Sequence, residues 1–189
     1  MNYNEIKDSL RVRLMPVIGN EAILDSVPHR LYEDIAMTYF LEYPYPTIIT
    51  NGMLDKWDAD EERLHEDALE AAHNSCGIRF RSIGQMLRAF GEMVEDSGAF
   101  YVVTTEAPFG AWVIFYEDYM AAFAQAMNCD GYYILPSSVH ELLLLPRNDL
   151  KPEELLTMVT EINRTAVAPE ERLTDSVYYY DKDGFRKVA

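Results

Sequence analysis

The sequence predicts an α+β fold, a single domain in which a mostly antiparallel sheet packs against helices. Short β-branched and aromatic segments come in pairs around turn residues, which is typical of hairpins. Each pair is followed by a segment with helical periodicity, so the order strand, strand, helix occurs three times. The length of 189 residues and the lack of a segment rich in Gly, Ser or Pro favour one domain over residues 1–189.

The first third of the chain supplies the first of these three groups. Ile6, Leu10 and Leu14 recur at helical spacing and predict a short helix that Pro16 ends, while residues 27–30 indicate a turn or a helix start. Two strands are predicted around the proline-rich residues 43–46, and a helix follows from residue 58. The predicted segments are 35–41 and 47–50 for the strands, with Asp58 and Glu61 as a capping box for the helix.

The remaining residues supply the other two groups, each a hairpin with a helix. A further helix is predicted over residues 83–94 by its apolar stripe. Residues 142–145 do not alternate, which favours a strand covered on both faces. The predicted segments are strands 100–104 and 111–115, helix 119–127, strands 132–135 and 140–145, helix 155–162 and a last strand at 177–180.

Composition limits the classes of partner. The chain has 32 Asp+Glu against 16 Lys+Arg, a formal net charge of −16, and 49% hydrophobic residues, enough for a sizeable core. The negative charge argues against nucleic acid and anionic membranes, which need a positive field. It favours a basic protein partner, whereas the abundance of tyrosine favours self-association into a homo-oligomer. No signal sequence or membrane span is visible, and Cys76 and Cys129 form no C-x-x-C pair, so a cytoplasmic protein is expected.

A serine and histidine cluster is the strongest catalytic candidate. Ser137 and Ser138 lie beside His140, which suggests a nucleophile with a nearby base. Adjacent strand residues point to opposite faces, however, so Glu141 is poorly placed to orient His140. No G-x-S-x-G elbow is present. The simpler interpretation is a hairpin turn with two turn-forming serines.

Metal and cofactor sites find little support in the sequence. Glu62 with His65 and Glu70 with His73 have the i, i+3 spacing of carboxylate–histidine metal ligands. Both pairs fall on one helix, about 12 Å apart, which is too far for a shared two-metal centre. A solvated acidic helix face explains them better. No phosphate-binding loop occurs, so no metal and no cofactor is predicted.

Two sets of residues are candidates for binding. Arg79, Arg81 and Arg88 form a basic island, which suggests either an anionic or acidic partner or ion pairs with the acidic helix upstream. Tyr178, Tyr179 and Tyr180 form a run of a residue type that favours interfaces, although ordinary sheet packing explains it equally well.

Four motifs resemble an uncharacterised bacterial family that is classed only as a domain of unknown function. They are residues 47–51 (TIITN), 133–141 (YILPSSVHE), 163–165 (NRT) and 177–180 (VYYY), and the resemblance extends from about residue 28 to residue 181. It implies a bacterial cytoplasmic domain and transfers no catalytic or binding residue. It draws attention to Asn163 in addition to the serine and histidine cluster.

The leading hypothesis is therefore a non-enzymatic cytoplasmic protein that acts through macromolecular binding or self-association. It depends on the missing catalytic motifs, the acidic charge and the surplus of tyrosine, 13 residues in all. The alternative is a hydrolase-type enzyme that uses Ser137 or Ser138 with His140.

Overall fold

The structure is a computed structural model that describes residues 2–43, 45–75, 77–89, 91, 93, 95, 99–136, 138–147 and 150–189. The chain divides into two compact units, Met1–Gly77 and Ile78–Ala189. Each unit combines helices with an antiparallel sheet, which confirms the predicted α+β class. The described strands form two sheets, whereas the sequence predicts one. The single domain over residues 1–189 stays a prediction.

The first unit contains a four-stranded sheet and one long helix. Its elements are α1 (Tyr3–Ile6), a 3-10 turn (Lys7–Ser9), β1 (Leu10–Pro16), α2 (Glu21–Leu24), β2 (His29–Tyr32), β3 (Ile35–Leu41), β4 (Thr47–Ile48), α3 (Asn51–Trp57) and α4 (Glu61–Ser75). Strand β3 lies between β1 and β2 and also pairs with β4. One sheet face is apolar and buried, and α4 contributes Leu64, Ala68 and Ala72 to the core.

Three predictions in this unit are wrong. Residues 10–14 are a strand, because Leu10 and Leu14 recur at a spacing that also fits period two, and Val12 between them is buried opposite Tyr39 of β3. Residues 29–30 begin β2 rather than a turn or helix. Asp58 has a left-handed backbone, φ 52°, and ends α3. The α4 amide of Arg63 is instead capped by Asp60, at 2.8 Å.

The second unit contains a six-stranded sheet with helices on both faces. Its elements are β5 (Ile78–Ser82), α5 (Ile83–Ala89), β6 (Tyr101–Thr105), a 3-10 helix (Gly110–Phe115), α6 (Glu117–Ala126), β7 (Gly131–Leu135), β8 (Glu141–Pro146), α7 (Pro152–Ala166), a 3-10 turn (Pro169–Glu171), β9 (Tyr178–Asp181) and β10 (Gly184–Lys187). The strand order is β10-β9-β7-β8-β6-β5, with every neighbouring pair antiparallel.

Alternation along the strands assigns the two faces of this sheet. On one face, the Tyr132 hydroxyl donates to the Met120 carbonyl of α6 at 3.1 Å, and Phe80 stacks on Phe123 of the same helix. On the other face, Leu135 and Leu145 pack with residues of α7 in one apolar cluster. The leucines of β8 therefore supply both faces, as the unalternating sequence predicts.

The middle hairpin is the main error in this unit. Residues 111–115 are helical, and β6 pairs with β5 and β8 instead. Residues 111–114 are buried on every side, so their apolar run fits a buried 3-10 helix as well as a strand. Strands β5 and β10 were not predicted. The helix predicted over 83–94 is described as α5 over Ile83–Ala89, and its Phe90 and Val94 lie outside the described residues.

Candidate functional site

The two arginines of β5 lie on one face of the second sheet. Residues 79 and 81 are two apart in a strand, so both side chains leave the same side, and both residues are exposed. Arg79 is opposite Thr104 of β6, and Arg81 is opposite Val102. Thr104 is in turn opposite Glu141 of β8. The register therefore brings together side chains that are distant in sequence.

These side chains line a cavity of about 230 Å³, which we call the β5 groove. Its described lining residues are Arg79, Arg81, Met86, Ala89, Val102, Thr104 and Glu141. Met86 and Ala89 come from α5, which follows β5 directly. The groove thus combines apolar surface with two guanidinium groups and one carboxylate.

The two guanidinium groups differ in their partners. Arg79 Nη2 lies 3.1 Å from Glu106 Oε1, and the two side chains are 54% and 62% exposed, so water screens this ion pair. The guanidinium of Arg81 forms no ion pair and no hydrogen bond within the described part of the chain. The Thr104 hydroxyl donates to the His140 carbonyl at 2.9 Å, which fixes the wall of the groove. Arg81 therefore presents unused hydrogen-bond donors to the cavity.

Arg88 does not belong to this arrangement. It is exposed near the end of α5 and is not among the described residues that line the β5 groove. Residues 86 and 89 are three apart and share one helix face, whereas residue 88 leaves the helix in another direction. The structure thus brings two of the three predicted arginines together.

The predicted serine and histidine lie close in the chain but are not hydrogen-bonded through their side chains. The Ser138 hydroxyl accepts the backbone N–H groups of His140 and Glu141, each at 3.2 Å, and Ser138 is 7% exposed. These bonds hold the turn between β7 and β8. Ser137 lies outside the described residues.

The ring of His140 is held by two other residues. Its Nδ1 accepts the Phe109 backbone N–H at 3.2 Å, and the two rings stack with centroids 5.3 Å apart. A neutral imidazole with this bond carries its proton on Nε2, which lies 3.4 Å from Glu171 Oε1. His140 is therefore oriented toward a carboxylate rather than toward the Ser138 hydroxyl.

The tyrosine run is part of the sheet. Tyr178 is fully buried and stacks on Phe185, while Tyr179 is 8% exposed and has Arg186 over its ring at 5.1 Å. Burial raises the pKa of Tyr179. Tyr180 is half-buried. These contacts favour the sheet-packing interpretation for the first two tyrosines.

The remaining polar candidates serve separate local structures. Asn163 is 2% exposed and donates to the Thr174 carbonyl at 3.0 Å and to Asp175 Oδ1 at 2.6 Å, while its own Oδ1 is buried without a hydrogen bond. It thereby ties α7 to the segment before β9. Burial raises the pKa of the free Cys129 thiol, which favours its unreactive protonated form. Cys76 lies outside the described residues.

The two Glu-x-x-His pairs are dispersed over the first unit. His65 is buried, and its Nδ1 is hydrogen-bonded to the Tyr39 hydroxyl at 2.8 Å, contrary to the solvated position that the sequence predicts. Glu62 forms an ion pair with Arg30, and Glu70 lines a separate small cavity. The described residues contain no group of three or more His, Cys, Asp or Glu that could hold a metal ion. None of the described helices has the length and apolarity to cross a membrane.

Comparison with known proteins gives a family and no activity. The chain matches, over residues 1–182, the family described as "Family of unknown function (DUF5688)". The chain belongs to DUF5688. No curated protein and no solved structure matches it. The match confirms the resemblance to a domain of unknown function, and the description of the family assigns no role to the β5 groove.

Sequence reasoning missed most of the groove. The basic island pointed to Arg79 and Arg81, but it gave no indication of Thr104 or Glu141, which arrive through strand register. The alternation of residues 78–82 was a usable signal for β5, since apolar and basic residues alternate there. No sequence pattern indicated which strands would be its neighbours.

Proposed function

We propose that this member of DUF5688 is a non-enzymatic binding protein of the bacterial cytoplasm, which docks an acidic segment of a partner protein in the β5 groove. The observation that carries the proposal is Arg81, an exposed guanidinium in a cavity of about 230 Å³ without an ion pair in the described part of the chain. A guanidinium presents a planar set of N–H donors that can form two parallel hydrogen bonds with a carboxylate.

The lining of the groove suits the side chain of an acidic residue. Met86, Ala89 and Val102 offer apolar surface to methylene groups, and Arg79 and Arg81 offer donors to the carboxylate. Glu141 lines the same cavity, and its carboxylate would repel a ligand with many closely spaced negative charges. The groove therefore favours one or two spaced carboxylates.

The overall charge favours a protein partner over a nucleic acid. At −16, the chain repels a polyanion at long range, and nucleic-acid binding depends on many neutralised phosphates. A short segment with two carboxylates can bind the local pair of arginines, and the net negative charge of the chain repels it less than it repels a nucleic acid.

Peptide binding tests this proposal. The probe is the acetylated, amidated pentapeptide Thr-Glu-Ile-Glu-Thr, titrated into the full chain by isothermal calorimetry or by amide chemical shifts. Replacing Arg81 by Gln removes an exposed charge-assisted contact worth about 1 kcal/mol, so we expect about fivefold weaker binding. Arg164→Gln is the matched control, because Arg164 is an exposed arginine of α7 outside the groove.

Two results would count against an acidic partner in this groove. One is equal affinity for the Thr-Gln-Ile-Gln-Thr peptide, because the carboxylates would then contribute nothing. The other is equal weakening by Arg81→Gln and Arg164→Gln, because binding would then follow total charge rather than the groove. A single-stranded oligonucleotide that binds more tightly than the peptide would contradict the choice of a protein partner.

The other hypotheses have less geometric support. The hydrolase alternative needs the hydroxyl of Ser137 or Ser138 bonded to His140. The Ser138 hydroxyl accepts two backbone amides instead, and Ser137 lies outside the described residues. Self-association stays a prediction, and so does the basic partner that the surplus of acid favours. For that prediction the exposed acids of α4, Glu61, Glu66 and Glu70, are the surface to test.

A further inference from the structure

The edge of the second sheet at β5 has a defined set of backbone groups that face away from β6. The Ile83 amide donates to the Phe100 carbonyl at 2.9 Å, which continues the β5–β6 register by one residue. In an antiparallel pair, hydrogen-bonded and non-hydrogen-bonded pairs alternate. The backbone groups of Arg79 and Arg81 are therefore hydrogen-bonded to β6. The backbone N–H and C=O of Phe80, which lies between them, point away from β6.

Among the described residues this outward edge is unpaired at its middle and capped at one end. Strand β5 is the last strand of its sheet within the described chain, so no described strand pairs with its outer side. The amide of Ser82 is capped by Gln85 Oε1 at 3.3 Å, and the amide of Gln85 by the Ser82 hydroxyl at 3.1 Å. The backbone groups of Ile78 and Phe80 form no hydrogen bond to any described residue on that side.

The two faces beside this edge differ in chemistry. Arg79 and Arg81 lie on the face of the β5 groove, whereas Phe80 lies on the opposite face and stacks on Tyr101 and Phe123, with centroids 5.0 and 5.1 Å away. In a chain added as a neighbouring strand, two side chains therefore meet Arg79 and Arg81 on one face, and the side chain between them meets Phe80 on the other.

We propose that the acidic partner binds as an extended strand on the outer edge of β5, with the pattern acid, apolar, acid. This inference rests on the proposed function and adds the mode of binding. The apolar residue exchanges both of its backbone hydrogen bonds with Phe80. The two acids then stand opposite Arg79 and Arg81 at non-hydrogen-bonded positions, where cross-strand side chains are closest.

Charge complementarity selects the acidic segment over a second copy of β5. If two copies of this strand paired antiparallel about Phe80, Arg79 of each would stand opposite Arg81 of the other. Like charges directly opposite each other are unfavourable in a sheet. Edge arginines thus oppose self-pairing, as charged edge strands generally do, and attract a strand of opposite charge.

Backbone methylation of the pentapeptide tests the strand geometry. In the proposed pose the Ile amide donates to the Phe80 carbonyl, while the amides of both glutamates point away from β5. N-methylation at Ile removes one hydrogen bond and places a methyl group against the edge, so we expect about tenfold weaker binding or more. N-methylation at the second Glu is the matched control, and we expect its affinity to stay within about twofold of the parent.

A peptide isomer tests the spacing. Thr-Ile-Glu-Glu-Thr has the same composition, but its adjacent acids point to opposite faces of a strand, so only one of them reaches an arginine. We expect it to bind two- to fivefold more weakly, which is the range for one cross-strand charge pair.

The outcomes separate this inference from the proposed function. If Arg81→Gln weakens binding but the two N-methyl peptides bind equally, the groove binds acids and the added strand is refuted. If Arg81→Gln has no effect, the proposed function itself fails. Selective loss with N-methyl-Ile, together with weaker binding of the isomer, supports strand addition on β5.

Discussion

The buried hydrogen bond between Tyr39 and His65 makes the stability of the first unit depend on pH. The Tyr39 hydroxyl and His65 Nδ1 are 2.8 Å apart, and burial raises the pKa of Tyr39, so the hydroxyl is the donor and the imidazole is neutral. Burial, helped by the positive charge of Arg30, lowers the pKa of His65 to about 4. Replacing His65 by Gln removes this titration and keeps an acceptor for the hydroxyl.

The sign and size of the effect follow from the pKa of His65 in the two states. In the unfolded chain His65 has its ordinary pKa of 6.5, so below that pH the unfolded state binds a proton that the folded state does not bind until about pH 4. Stability is therefore lost as pH falls through this window. At 1.36 kcal/mol per pKa unit the upper limit is about 3 kcal/mol, and because His65 retains 8% exposure we expect about 2 kcal/mol.

Urea unfolding at a series of pH values from about 7 to about 4 measures this free energy. Carboxylates titrate in the same range, so the relevant quantity is the difference between the wild type and His65→Gln. We expect the wild type to lose about 2 kcal/mol more than the variant over this range. His73→Gln is the control, because His73 is an exposed histidine of the same helix, and its profile should follow the wild type. Parallel profiles for the wild type and His65→Gln, or a midpoint near 6.5 for His65 by NMR, would refute the reasoning.

Four further substitutions are checked by thermal and urea unfolding. In Gly110→Ala the new Cβ would lie 2.6 Å from the Thr105 amide nitrogen, so we expect the free energy of unfolding to fall by about 3 kcal/mol. In Gly52→Ala the new Cβ has no atom within 4 Å and the residue lies in a helix, so we expect the free energy of unfolding to rise by about 0.5–1 kcal/mol. Ser138→Ala leaves two backbone amides without their acceptor and should cost about 1–2 kcal/mol. Asn163→Asp turns an amide donor into a carboxylate that faces a carbonyl and another carboxylate, so we expect about 3 kcal/mol of destabilisation at neutral pH. A Gly110→Ala variant that melts at the wild-type temperature would contradict the close approach to Thr105. An unchanged free energy of unfolding in Ser138→Ala or in Asn163→Asp would contradict the hydrogen bonds assigned to the residue that was replaced.

Elements with a long and strict period could be predicted from the sequence. The stripe at Leu155, Val159 and Ile162 predicts α7, since apolar residues spaced by four and three over two helical turns do not fit the period of two of a strand. The hairpin of β7 and β8 follows from two apolar strands around a proline and serine turn. The prediction failed for short apolar segments, because two apolar residues four positions apart fit a helix and a strand equally well. Leu10 and Leu14 are an example.

The buried histidine shows a second kind of limit. His65 follows Leu64 in α4, and its neighbours Glu62 and Glu66 are exposed, so its place in the chain resembles the edge of a solvated face. Its burial depends on the Tyr39 hydroxyl of β3, which supplies the hydrogen bond that a buried imidazole needs. That partner is 26 residues away, beyond the reach of any local pattern.

The sequence by itself determined the α+β class, the approximate positions of helices α4 to α7, the surplus of acid and the presence of an arginine pair at positions 79 and 81. Local periodicity and composition carry that information, because each depends on residues within a few turns or on the total charge. Only the tertiary structure decided that β5 is an edge strand and that Thr104 and Glu141 lie beside its arginines. It also decided that Arg88 is not among the described residues that line the β5 groove. Strand order and register join segments more than 20 residues apart, and the free energy that selects them comes from packing both faces of the sheet at once.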